Sequence, residues 1–283
     1  MTNVAVLGTG LLGSGMVENL LGKGHSVRVW NRTRAKLDAL VQKGAVAADD
    51  PAAAVAGCER VHLVLTSDDA VDQVVSQCQS MIGKSVPVLD HSTNLPARVA
   101  ERTAVLRSQG VRYVSAPVFM SPKNAREGSG MIVLAGERAE CDALMSALQQ
   151  MTGKVLYVGE RSDLAAFHKI SGNGLLIGLM GLMGDLLAMG RATGLSTEEV
   201  LSLYEAWNPA SSLAYFGKTV AAAGSKPATF ELQMARKDVG LMVQTGTAQG
   251  LCVLPGVAAA MDKAIAEGRA QQDYAIFARG DRK

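Results

Sequence analysis

The stretch that decides the fold is VAVLGTGLLG, Val4–Gly13, in which a short apolar run leads into the spacing G-x-G-x-x-G. Val4–Leu7 has the length and composition of a buried strand. Gly8 permits a tight turn, Gly10 lets the backbone approach a pyrophosphate, and Gly13 lets the next helix pack on the strand. The start of that helix offers free N–H groups to phosphates. The sequence therefore predicts a dinucleotide-binding strand–turn–helix. Its predicted cofactor contacts are Gly8, Thr9, Gly10, Leu11, Leu12 and Gly13.

The end of the second predicted strand, Ser26–Trp30, indicates which dinucleotide is bound. NAD-binding units place Asp or Glu roughly 20 residues after the glycines to bind the ribose 2′-hydroxyl. Here Asn31-Arg32-Thr33 follows the strand, with Lys36 one turn later and no carboxylate. An acid would repel a 2′-phosphate, whereas these side chains can donate hydrogen bonds to it. We therefore expect NADP(H); a solvated helix start with ordinary basic residues is the alternative.

Strand-like and helix-like segments alternate through the first half of the chain. The predicted strands are Val4–Leu7, Ser26–Trp30, Arg60–Leu65, Val86–Leu89, Arg112–Val114, Met131–Ala135 and Val155–Val158. The predicted helices between them are Leu11–Leu21, Arg34–Lys43, Ala70–Met81, Pro96–Ser108 and Ala139–Met151. This alternation predicts a Rossmann-type, doubly wound parallel sheet. Leu65 and Thr66, at the end of the third strand, are expected to contact the cofactor.

After about Ser162 the strand-like segments disappear, so we predict an NADP-binding domain over 1–162 and a helical substrate and oligomerisation domain over 163–283. The predicted helices are Leu164–Thr193, Thr197–Trp207, Glu231–Ala248 and Val257–Glu267. Gly174–Gly184 is free of charge but covers only about half of the ~20 residues that a membrane span needs. We expect it to be a buried helix.

The overall composition excludes several classes of partner. A net charge of +2 gives no reason to expect nucleic acid or an anionic membrane. The four cysteines lie far apart, with no C-x-x-C pair, and no metal site is predicted. Reduced, mostly buried thiols and the absence of a basic leader at Met1-Thr2-Asn3 predict a cytoplasmic protein.

Three later segments carry residues suited to chemistry. Asp90-His91-Ser92-Thr93 follows a strand, so Ser92 or Thr93 can reach the nicotinamide side, or simply cap the next helix. Lys169 and Asn173 stand four apart on one face of a predicted helix among apolar residues. Partial burial would lower the pKa of Lys169 toward the range useful for proton transfer, unless the side chain extends to the surface. For Arg236-Lys237-Asp238 a solvated helix face is the default.

These motifs resemble those of the β-hydroxyacid dehydrogenase family, which contains 3-hydroxyisobutyrate dehydrogenases and glyoxylate/succinic semialdehyde reductases. The matching segments are VAVLGTGLLGSGM (Val4–Met16), VWNRT (Val29–Thr33), LDHST (Leu89–Thr93), SAPV (Ser115–Val118), KISGN (Lys169–Asn173) and KDVGL (Lys237–Leu241). The resemblance spans essentially the whole chain. It implies that Lys169 is the catalytic acid/base, that Asn173 holds the substrate or Lys169, and that Thr93 and Lys237 lie near the nicotinamide.

The resemblance also implies a reaction and an assembly. A small β-hydroxy acid and its aldehyde or keto form would be interconverted, and the helical domain would support a homodimer or homotetramer. One segment departs from the family, because Phe119-Met120-Ser121-Pro122-Lys123 stands where small residues usually hold a carboxylate. Ser121 and Lys123 remain candidate substrate contacts, in a pocket that we expect to be more apolar.

Two alternatives remain open. The bulky Phe119–Pro122 run loosely resembles the corresponding loop of NADPH-dependent imine reductases, but Lys169 stands where those enzymes typically carry Asp or Tyr. The second alternative is a catalytically silent cofactor-binding module that serves as a sensor or scaffold. The presence of both Lys169 and Asn173 argues against it.

Overall fold

The alternating segments of the first half form a parallel sheet in the computed structural model, which describes residues 2–279. The strands are β1 (Asn3–Leu7), β2 (Ser26–Trp30), β3 (Val46–Ala47), β4 (Arg60–Leu63), β5 (Pro87–Asp90) and β6 (Arg112–Ser115). The helices between them are α1 (Leu11–Gly22), α2 (Asp38–Val41), α3 (Pro51–Val55), α4 (Asp68–Cys78) and α5 (Pro96–Ser108). The short elements β3 and α3 carry too little periodic sequence to be predicted, and most of the first turn of the predicted helix Arg34–Lys43 is a 3-10 helix.

The sheet has the order β3-β2-β1-β4-β5-β6, and every pairing in it is parallel. The strand order reverses between β1 and β4. In such sheets a ligand binds in the crevice outside the carboxyl ends of the strands at this reversal. The loops that follow β1 and β4 are therefore the ones that the topology brings to a binding crevice.

The sheet is buried on both faces along β1, which explains why this strand is a continuous apolar run. Along β1, Val4 and Val6 belong to one core cluster and Ala5 and Leu7 to the other. All four side chains are fully buried. Helices on each face supply the rest of these clusters, as the alternation of strands and helices predicts.

A second, smaller sheet follows β6. It consists of β7 (Val118–Phe119), β8 (Met131–Leu134) and β9 (Lys154–Tyr157), with α6 (Pro122–Glu127) and α7 (Arg138–Gln149) between them. β7 pairs antiparallel with β8, and β8 pairs parallel with β9. β7 was not predicted, because two residues are too few for a periodic pattern.

The remainder of the chain is helical. Its helices are α8 (Leu164–Ala192), α9 (Thr197–Ala206), α10 (Leu213–Ala222), α11 (Leu232–Gly246) and α12 (Leu254–Ala264), of which α10 was not predicted. The chain divides into two compact units after Asn173, within α8, whereas the predicted boundary lies at the start of this helix. We call the part up to Asn173 the first unit and the part from Gly174 the second unit.

The prediction that Gly174–Gly184 is a buried helix is wrong for the single chain. Ile177 and Met180 are 71% and 78% exposed, because no core cluster formed by residues 2–279 covers this face of α8. By length and composition alone, α8 could cross a membrane, and 17% of its most apolar window is buried. Helices that another protein chain covers in an assembly can have the same length and composition.

The second unit is fastened internally by a buried carboxylate. Asp185, on α8, is 2% exposed and accepts hydrogen bonds from the backbone N–H groups of Cys252, Val253 and Leu254 at the start of α12. Burial by itself would raise the pKa of Asp185, but these hydrogen bonds outweigh it and the pKa is lowered. Asp185 therefore serves as an anionic cap for α12.

Candidate cofactor and active site

The three loop glycines differ in what an added side chain would meet. Gly8 has a φ of +100°, and a Cβ there would lie 2.3 Å from the carbonyl oxygen of Val64. A Cβ on Gly13 would lie 2.0 Å from the carbonyl oxygen of Gly8, so α1 could not pack as closely. Gly10 precedes α1 with no side-chain cap, and a Cβ there would meet nothing within 4 Å. The loop thus leaves open space in front of the N–H groups of α1, which fits a pyrophosphate.

A cavity of about 280 Å³ opens beside this loop. Eight of the predicted cofactor contacts line it: Gly8, Gly10, Asn31, Arg32, Thr33, Lys36, Leu65 and Thr66. Its other lining residues are Trp30, Val64, Ala70, Gln73, Val74 and Gln77. None of these residues is acidic. The residues from α4 were not predicted, although their spacing of three and four along a helix places Ala70, Gln73 and Gln77 on one face.

Thr9 and Asn31 hold the loop against the end of β2. The backbone N–H of Thr9 donates to Asn31 Oδ1 at 3.1 Å, and Asn31 Nδ2 donates to the carbonyl oxygen of Thr33 at 3.0 Å. Thr9 is 3% exposed, and its hydroxyl has no hydrogen-bond partner within residues 2–279. Asn31 therefore shapes the binding loop in addition to lining the cavity. Leu11, which is 78% exposed, Leu12 and Gly13 form the first turn of α1 rather than the cavity wall.

The basic residues that follow β2 differ in what they contact. Arg34 donates to Asp49 at 2.7 Å and to the carbonyl oxygen of Ala48 at 3.2 Å. Arg32 and Lys36 are exposed at the cavity, and neither forms an ion pair with any residue that the structure describes. The cavity thus carries two cations that remain free to meet an anionic ligand.

At the carboxyl end of β5, a buried aspartate organises the segment Asp90–Thr93. Asp90 is fully buried and accepts hydrogen bonds from Tyr113 Oη at 2.6 Å and Asn94 Nδ2 at 2.7 Å. Ser92 Oγ accepts from the backbone N–H of Leu65 at 2.9 Å, which ties the end of β5 to the loop after β4. Neither Ser92 nor Thr93 caps α5, whose first turn starts after Leu95. Thr93 is exposed beside Ser92 and does not line the cavity.

A chain of buried side chains runs from β4 to the loop after β6. Arg60 Nε donates to His62 Nε2 at 2.8 Å, His62 Nδ1 lies 2.8 Å from His91 Nε2, and His91 Nδ1 lies 2.6 Å from the carbonyl oxygen of Ala116. Each imidazole therefore donates through Nδ1 and accepts through Nε2, so both are neutral. Burial, and for His62 also the charge of Arg60, lowers their pKa values. This chain fixes the start of the loop that leads to Phe119.

Lys169 and Asn173 meet near the end of the first unit. Lys169 Nζ donates to Asn173 Oδ1 at 3.1 Å, and it lies 4.4 Å from the centroid of the Phe119 ring. Burial lowers the pKa of Lys169, in the direction that the sequence predicts. Phe119 follows the carboxyl end of β6, the edge of the sheet at which the glycine loop leaves β1. A half-buried lysine with a fixed amide partner is suited to proton transfer.

The remaining predicted residues are not brought to Lys169 by the described contacts. Ser121 caps α6, with its hydroxyl 3.1 Å from the backbone N of Asn124. The side chain of Lys123 is 78% exposed and pairs with Glu127 at 3.8 Å. Lys237 lies in the second unit, where it pairs with Asp238 at 3.1 Å. Their roles in substrate or cofactor binding remain predictions.

Comparison with known proteins finds a family that matches more than half of the chain. Residues 3–159, more than half of the 283-residue chain, match the family described as the NAD binding domain of 6-phosphogluconate dehydrogenase. Glyoxylate/succinic semialdehyde reductase 1 of Arabidopsis thaliana is 27% identical over 275 residues, which cover 94% of this chain and 92% of that protein. The human cytokine-like nuclear factor N-PAC is 30% identical over 249 residues, 87% of this chain but 45% of that protein. The chain thus spans less than half the length of N-PAC.

Solved structures resemble the chain in fold. The imine reductase of Streptomyces aurantiacus superposes with a TM-score of 0.87 at 23% identity, covering 99% of this chain and 100% of that one. The reductive aminase of Aspergillus terreus in complex with NADPH and ethyl-5-oxohexanoate gives 0.84 at 23% identity, covering 98% of each chain. At such identities the likeness shows the fold alone. The predicted fold class, a Rossmann-type sheet followed by a helical region, is confirmed.

Proposed function

This chain belongs to the family of the 6-phosphogluconate dehydrogenase NAD-binding domain, and from that premise we propose that it is an NADP(H)-dependent oxidoreductase of small β-hydroxy acids. It would interconvert a compound like 3-hydroxyisobutyrate with its aldehyde or keto form. The observation that carries the proposal is the half-buried Lys169, hydrogen-bonded to Asn173 in the unit that also holds the dinucleotide cavity. The plant glyoxylate/succinic semialdehyde reductase, which aligns over nearly the whole chain, supports this substrate class.

The preference for NADP(H) rests on the charges around the cavity. Arg32 and Lys36 are available cations, and no acidic side chain lines the cavity to repel a 2′-phosphate. The pyrophosphate would lie in the open space before Gly10 and the first turn of α1. Leu65 and Thr66 would border the opposite side of the dinucleotide.

Lys169 supplies the acid–base chemistry in this proposal. When bound, the nicotinamide provides the hydride that a carbonyl carbon accepts. The Lys169 ammonium then donates a proton to the carbonyl oxygen, and in the oxidative direction the neutral amine removes the hydroxyl proton. Asn173 Oδ1, 3.1 Å from Nζ, accepts one of the ammonium hydrogens and orients the others. Burial lowers the pKa of Lys169, which is the direction that favours the neutral amine needed for the oxidative reaction.

An imine reductase is the second candidate, because the apolar Phe119 ring rather than a second charged group lies against Lys169. A panel of substrates distinguishes the two activities. We expect turnover of small semialdehydes with NADPH, and of β-hydroxy acids with NADP⁺, to exceed turnover of cyclic imines. Preferential reduction of the imines would favour the second candidate, and NADPH binding without any turnover would favour a silent module.

Replacement of Lys169 tests the chemical step. Lys169→Met keeps the apolar stem and removes the ammonium, and we expect the turnover number to fall by about 10²–10⁴-fold. The dissociation constant of NADPH should stay nearly unchanged, because Lys169 does not line the dinucleotide cavity. Lys84→Met, at an exposed lysine of the same unit that has no place in the proposed site, is the matched control. Full activity of the Lys169→Met variant would end the assignment.

We further propose that the exposed face of α8 is covered by a second copy of this chain. Gly178 and Gly184 leave open space beside the helix, so another helix can approach closely. A membrane is disfavoured because the residues on either side of the apolar stretch of α8 are committed to protein: Ala165 and Ala166 are buried, and Asp185 caps α12. Sedimentation should give a dimer or tetramer. Ile177→Glu should produce monomers, and binding of the wild-type chain to phospholipid vesicles would contradict the proposal.

A further inference from the structure

The Phe119 ring lies in a notch on α8. Phe119 packs with Val133, Ala135 and Ala165 in a small cluster between the second sheet and the start of this helix. Its outer edge reaches over Gly172, where an added Cβ would lie 2.4 Å from Cζ and 2.7 Å from Cε1. Only glycine at position 172 leaves the ring enough room to occupy this position.

The same ring contacts the ammonium of Lys169, less than one helical turn from Gly172. Nζ lies 4.4 Å from the ring centroid, within the range of a cation–π interaction. On its other side Nζ donates to Asn173 Oδ1 at 3.1 Å. The ammonium is thus held between a ring face and an amide oxygen, and both favour the charged amine without carrying charge themselves.

No carboxylate supports this lysine in the part of the chain that the structure describes. The pKa of Lys169 is lowered by burial alone, with no contribution from a charged side chain. His168, the neighbouring titratable group, is exposed and makes an edge contact with Phe167 at 5.7 Å between ring centroids. The ring face, together with the Asn173 amide oxygen, therefore offsets the cost of burying the ammonium.

We infer that Phe119 is a positioning residue for Lys169: its ring, placed in the Gly172 notch, holds the ammonium in place and keeps it protonated. In this role Phe119 does not react. It lets a partly buried lysine act as an acid at a pH where burial alone would leave more of it neutral. The inference rests on the proposed function for its catalytic meaning, but the ring–ammonium contact can be tested without turnover.

The test is to measure the pKa of Lys169 in the full-length chain by ¹³C NMR of lysine labelled at the ε carbon. The signal of Lys169 is identified as the one that is missing from the spectrum of Lys169→Arg. Phe119→Leu keeps apolar volume but removes the ring face, so the pKa should fall by about half a unit to one unit. Phe119→Tyr should retain the wild-type value. Gly172→Ala should reproduce the Phe119→Leu result because it displaces the ring, whereas Gly174→Ala, in open space on the same helix, should not.

Enzyme assays provide the second readout. In the reductive direction kcat falls as the pH rises through the pKa of Lys169, so this limb should move to lower pH in Phe119→Leu, with little change in KM. An unchanged pKa in both Phe119→Leu and Gly172→Ala would overturn the inference while leaving the proposed function intact. If the pKa of Lys169 falls as predicted in these variants but the wild-type chain turns over no substrate, the contact is supported and the proposed function is refuted.

Discussion

Arg32 and Lys36 provide the sharpest test of the cofactor proposal. Both side chains border the dinucleotide cavity without an ion-pair partner within residues 2–279. Replacement of both by alanine removes the cations expected to meet a 2′-phosphate and leaves the glycine loop unchanged. NADPH and NADH differ only in this phosphate, so the variant should weaken NADPH binding selectively.

The size of the effect follows from the exposure of the two side chains. A hydrogen bond to a charged group contributes about 1.5–3 kcal/mol, and exposed groups fall at the lower end because water and salt screen them. Each contact then corresponds to about a tenfold change in affinity. The double variant should raise the dissociation constant of NADPH by about 100-fold and that of NADH by less than about twofold.

The measurement is a fluorescence titration of both cofactors at fixed, low ionic strength. Arg34→Ala is the matched control, because Arg34 lies in the same segment but is already engaged by Asp49. It should leave the ratio of the two dissociation constants unchanged. Equal weakening of NADPH and NADH by the double variant, or an equal effect of Arg34→Ala, would refute the reasoning.

Three further predictions concern stability and binding. Asp185→Ala leaves three backbone N–H groups, those of Cys252 and Val253 partly buried and that of Leu254 buried, without their acceptor, and should lower the free energy of unfolding in urea by about 3 kcal/mol. Because folding lowers the pKa of Asp185, the wild-type contribution should be present above about pH 4 and lost as the pH falls through the folded-state value. Gly13→Ala should abolish measurable NADPH binding, since its Cβ would lie 2.0 Å from Gly8 O; unchanged affinity would contradict the packing argument. Since folding lowers the pKa values of His62 and His91, unfolding should become easier as the pH falls below about 6.5, and His62→Gln should flatten this dependence in urea titrations.

The fold of the first unit is largely predictable because its sequence signals are local. The core of β1, Val4–Leu7, is an apolar run, and Gly8 and Gly13 are needed by backbone geometry within a few residues of one another. The short elements β3 and β7 are fixed instead by pairing with β2 and β8, and this pairing leaves no periodic pattern in two residues. The exposure of α8 also escapes prediction, because an apolar helix has the same composition whether its own chain or another one covers it.

The candidate site was predictable where residues act through spacing along one helix or loop. Lys169 and Asn173, four residues apart, form the hydrogen bond that their shared helix face predicts. The role of Ser121 could not be foreseen in the same way, since capping of α6 and substrate binding need the same hydroxyl. The contact between Phe119 and Lys169 joins residues 50 positions apart (169 − 119), and only the folded chain brings them together.

The Arg60–His62–His91 chain has a consequence for how this protein can evolve. Each side chain in it donates a hydrogen bond to the next one. Replacing one imidazole therefore leaves a buried donor without an acceptor, or a buried acceptor without a donor. An unpaired buried polar group is costly, whereas exchanging the whole set for apolar side chains of similar shape costs little. Positions 60, 62 and 91 should therefore show strong epistasis, and their residues should co-vary among homologues.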